Sequence, residues 1–119
     1  MLPEVYDLLA GDGLVAELVG TRIYRHGDAP QGVSTPYVTW FVVSGTPENE
    51  LSGGPRIDAY SVQVDCWADR DALVEEVATA VRDAIELRYH MTAVVANDRD
   101  RDTMRYRIGM TFSFWTSRP

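Results

Sequence analysis

The sequence predicts an α+β domain: a four-stranded, mainly antiparallel sheet with one long helix packed on one face and an additional N-terminal helix. Three observations predict it. Strand-like runs come in two pairs, a helix with a single apolar stripe separates the pairs, and a further amphipathic stretch opens the chain. The 119 residues suit a single domain, 1–119, large enough to close one hydrophobic core and too short to divide. With 45% apolar and 24% charged residues the composition is that of a folding globular chain, not of a disordered tail.

Over residues 3–19, Val5, Leu8, Leu9, Leu14, Val15, Leu18 and Val19 recur at helical spacing, and Pro3 suits a first helical turn. Gly11-Asp12-Gly13 interrupts this stretch, so a kink or two short helices are expected. Residues 20–36 carry Gly, Pro, Asp, Ser and Thr without periodicity and read as an irregular connection. Residues 37–44 are β-branched and aromatic on both faces, as in a strand covered on two sides. Residues 46–55 hold enough breakers to predict a long loop. Over 56–67 the alternation is plain, with Tyr60, Val62, Val64 and Cys66 opposite Ser61, Gln63 and Asp65.

A helix is expected over 71–87, with Leu73, Val74, Val77, Val81, Ala84 and Ile85 on one stripe and a capping carboxylate from Asp69-Arg70-Asp71. A short strand over 91–96, a charged turn over 97–102 and a last strand alternating through Tyr106, Ile108, Met110, Phe112 and Phe114 complete the order. Trp40, Trp67 and Trp115 fall out of phase with the core-facing positions, on the side that carries Gln63, Asp65, Thr111 and Ser113. Large aromatics on a polar sheet face call for cover, either from the N-terminal helix or from another subunit, and the sequence leaves both open.

The formal charge is -7 and all eleven basic residues are Arg. Without Lys there is no Schiff-base amine, P-loop lysine or Ser-Lys dyad. The acidic balance also argues against a sequence-independent grip on DNA, whose affinity comes from cations displacing counterions along the phosphates. The single cysteine, Cys66, reads as a small buried hydrophobe. His26 and His90 stand apart, and no HxH, HExxH or CxxC spacing accompanies them. The run Asp98-Arg99-Asp100-Arg101-Asp102 begins like a calcium loop, but Thr103 stands at the glycine position and Gly109 at the bidentate glutamate position. No catalytic, cofactor or metal site is therefore expected. No apolar run reaches the roughly 18–20 residues that span a bilayer, so no membrane partner is expected either.

Read as a whole, the order of signals resembles the tail completion family of long-tailed bacteriophages, whose members resemble tail terminator proteins. The matching features are Val5-Tyr6-Asp7-Leu8-Leu9, Thr21-Arg22-Ile23-Tyr24 leading to Ala29-Pro30-Gln31-Gly32, and Pro36-Tyr37-Val38. They continue with Val62-Gln63-Val64-Asp65-Cys66-Trp67-Ala68 running into Asp71-Ala72-Leu73, and close with Phe112-Ser113-Phe114-Trp115. The resemblance implies a structural role in the tail or neck of a virion assembled in the host cytoplasm. It implies a ring of identical chains, six being typical, that caps the tail tube and offers a joining surface to the head connector, while DNA passes without specific binding. Its expected partners are other copies of the chain, the tail tube protein and the head–tail connector. Glu48 and Glu50 in the expected loop, with Trp40, Trp67 and Trp115, are the interface candidates. A head-closure or minor tail role, and a ferredoxin-like module binding a small molecule on the helix-free sheet face, are the alternatives.

Overall fold

The computed structural model describes residues 2–48 and 57–117. Three helices, α1 (Val5–Ala10), α2 (Gly13–Val19) and α3 (Asp71–Glu86), accompany five strands. The strands are β1 (Ile23–Arg25), β2 (Tyr37–Glu48), β3 (Ile57–Ala68), β4 (His90–Arg99) and β5 (Tyr106–Ser117). They form one mixed sheet in the order β1-β2-β3-β5-β4, in which β1 runs parallel to β2 and the other neighbours are antiparallel. The α+β class agrees with the expectation, whereas the expected four-stranded sheet is corrected to five strands. The added strand is β1, inside the stretch read as irregular. Three residues are too few to show an alternation, and their pairing depends on the chain returning beside them at Val38.

Three further boundaries move for physical reasons. The opening stretch divides into two helices, and the Asp12 carboxylate caps the second by accepting from Leu14 N and Val15 N, both at 3.1 Å. Strand β2 runs on through Pro47 to Glu48, although residues 46–55 were expected to form a loop. Beyond Trp40, β2 has no neighbour on its outer side among the described residues, so the N–H that proline lacks breaks no ladder bond. Strand β4 is ten residues long where six were expected; two irregularities, at Met91/Ala93 and Val94/Ala96, and exposure on both faces erase its alternation. At α3 the expected carboxylate cap is absent: Arg70 occupies the N-cap without a side-chain bond, and Asp71 lies in the first turn.

The core lies between the sheet and the helices. One cluster joins Val5, Leu9, Val15 and Val19 to Val74, Val77, Val81 and Ile85 of α3 and to the sheet residues Val38, Trp40, Val62, Val64, Cys66, Met110, Phe112 and Phe114. Register confirms the shared face, since Val38 pairs Cys66, Trp40 pairs Val64 and Val64 pairs Met110. Each fully buried Val, Ile or Phe in this layer contributes about 1.5–3 kcal/mol. The N-terminal helices pack beside α3 on this same face, and α1 also meets β1. Opposite them the other sheet face carries no helix among the described residues. The molecule is elongated, 52 × 28 × 23 Å with a radius of gyration of 15.1 Å, where a compact chain of this length would have about 13.5 Å.

Candidate functional site

The uncovered sheet face is built from side chains that the two-residue period sends away from the helices: Thr39 and Phe41 on β2, Gln63, Asp65 and Trp67 on β3, Arg107 and Thr111 on β5. At one end they form a ladder across the sheet. Tyr37 pairs Trp67, Trp67 pairs Arg107 and Arg107 pairs Asp98. The Tyr37 and Trp67 rings lie nearly parallel, 11° apart, at 5.9 Å, and the Tyr24 ring meets Tyr37 edge-on at 6.4 Å. The Arg107 guanidinium sits 5.6 Å over Trp67 and donates to both Asp98 oxygens at 3.2 and 3.0 Å. Arg105 lies over Tyr37 and donates to its hydroxyl at 2.9 Å and to Val33 O at 3.4 Å, and Trp67 Nε1 donates to Thr39 Oγ1 at 3.1 Å. The aromatics of this end are held in fixed positions by their neighbours.

Next to the ladder, Asp65 is buried on a face that the alternation marks as wet, with 5% of its surface exposed. It sits against Gly109, where an added Cβ would stand 2.5 Å from Asp65 Oδ1 and 3.3 Å from Ala96. Desolvation raises the Asp65 pKa above the ordinary carboxylate value, while the Gln63 amide, donating at 3.0 Å, and the Arg107 charge oppose the rise. Burial likewise pushes up the thiol of Cys66, on the core face, which makes it a packing residue and no nucleophile.

The expected interface residues separate. Trp67 is half-buried within the ladder, and Trp115 is 42% exposed at the far end, with the Tyr89 ring edge-on to it at 4.6 Å. Trp40 is corrected: it faces the helices, 5% exposed, with Arg25 5.7 Å above its ring. The assumed phase was wrong because residues 37–44 are apolar on both faces, so only the pairing to Val64 decides which way Trp40 points. Glu48 is the last residue of β2, and Glu50 lies outside the described residues. His26 and His90 are exposed on separate elements. Among the described residues no group of three or more His, Cys, Asp or Glu could hold a metal ion. Asp98 and Asp100, read as one charged turn, have different tasks: Asp98 is a strand residue paired to Arg107, while Asp100 closes the turn by accepting from Asp102 N at 2.9 Å. Sequence reasoning missed Tyr24, Tyr37, Arg105 and Arg107 as members of this face. The only available signal was the phase that Tyr37 and Arg107 share with Trp67 once the strands are registered.

Charge is divided between the two layers. The helical segments, residues 4–20 and 69–88, hold ten carboxylates against three arginines, a net of -7, whereas the rest of the chain holds eight of each. All three helical arginines pair locally: Arg70 with Asp69, Arg82 with Asp83 and Glu86, and Arg88 with Glu4. The net charge of the sequence therefore falls in the helical segments, and the remainder of the sequence is balanced.

Comparison with known proteins supplies the remaining findings. The sequence profile of the family described as tail completion protein gp17 matches residues 3–117. The fold is similar to a chain in the solved virion of a native gene transfer agent particle, with a TM-score of 0.64 and 20% identity, covering 96% of this chain and 92% of that one. No curated protein matches the sequence.

Proposed function

The chain belongs to the tail completion protein gp17 family and is a structural component of the phage tail, and from that premise we propose that its copies form a ring, six being expected, that caps the tail tube and receives the head connector. The observation that carries this reading is the uncovered sheet face with its rigid aromatics, Trp67 within its ladder and Trp115 in the open. Large amphipathic rings held by their neighbours lose little entropy on contact and are the residues that anchor protein interfaces. The acidic helical layer supports the companion proposal that DNA passes the ring unheld, because carboxylates repel phosphate. Glu48, the last residue of β2, and Glu50 belong to the proposed contact with the tube. Assembly takes place in the host cytoplasm, before the tail meets the head.

The test is native mass together with tube capture. A ring-sized oligomer that joins purified tail tubes at one end supports the proposal. Binding to the head connector with no affinity for tube ends would move the protein to a head-closure role. A stable monomer or dimer whose melting shifts with a small ligand would replace the proposal by a ligand-binding module.

A further inference from the structure

We draw no further inference here: the strongest candidate, the apolar cleft between α3 and β4 lined by Met91, Val94, Ile108 and Met110 with Glu75 and Arg82 beside them, is a surface face for which nothing in the structure shows what covers it.

Discussion

Trp40 and Trp115 are the same residue type, and burial gives their replacement opposite consequences. Trp40 fills the helix–sheet core, so Trp40→Ala should lose about 3–5 kcal/mol of stability, measured by denaturant unfolding. Trp115→Ala should leave melting within a few degrees of wild type and weaken assembly, which native mass will report. Asp65 makes a second residue-scale case, because its pKa is raised and the sign of its pH effect follows. A carboxyl whose folded pKa lies above its unfolded value holds its proton longer in the folded chain, so stability falls as pH rises through that window. Asp65→Asn should therefore melt higher than wild type at pH 7, with the gap closing as pH falls into the ordinary carboxylate range. A lower melting point at pH 7 would mean that the Gln63 and Arg107 interactions outweigh desolvation.

At the scale of elements, α3 and α2 owe their stability to different sources. α3 is held by its buried stripe, and Val77 at 1% exposure lies in the middle of it; Val77→Asp should cost about 3–5 kcal/mol and abolish cooperative unfolding. α2 has only seven residues, too few to be stable by propensity, and leans on its Asp12 cap. Asp12→Ala should cost about 1 kcal/mol in denaturant unfolding, with hydrogen exchange rising first at Leu14 and Val15, whose N–H groups it frees. The long helix and the β3 and β5 strands were legible because each covers several periods of its pattern and buries one face. β1 and the outer part of β4 were not. A three-residue strand shows no period, and an edge strand exposed on both faces has no reason to alternate.

For the whole molecule, the helical segments gather on one side and hold the net charge of the sequence, while the opposite sheet face carries the aromatic ladder. That asymmetry, more than any single residue, makes the protein suited to assembly. Replacing Glu48 and Glu50 with Ala should leave the monomer's melting unchanged and impair the joining of tails to heads, scored by infectivity; full infectivity of the double variant would overturn the proposed contact of these two residues with the tube. The family was legible in the order of short matching segments along nearly the full length, and the profile match over residues 3–117 agrees with it.

Sequence alone determined the α+β class, the long helix, the core faces of β3 and β5, and the lack of lysine chemistry, because each follows from residue type and periodicity within one segment. Tertiary structure decided the fifth strand, the side to which Trp40 points, the burial of Asp65 against Gly109 and the ladder from Tyr24 to Asp98. The reason is the same in each case. These features depend on which residue of one strand lies beside which residue of another, and a shift of one position in that register would send every side chain to the opposite face.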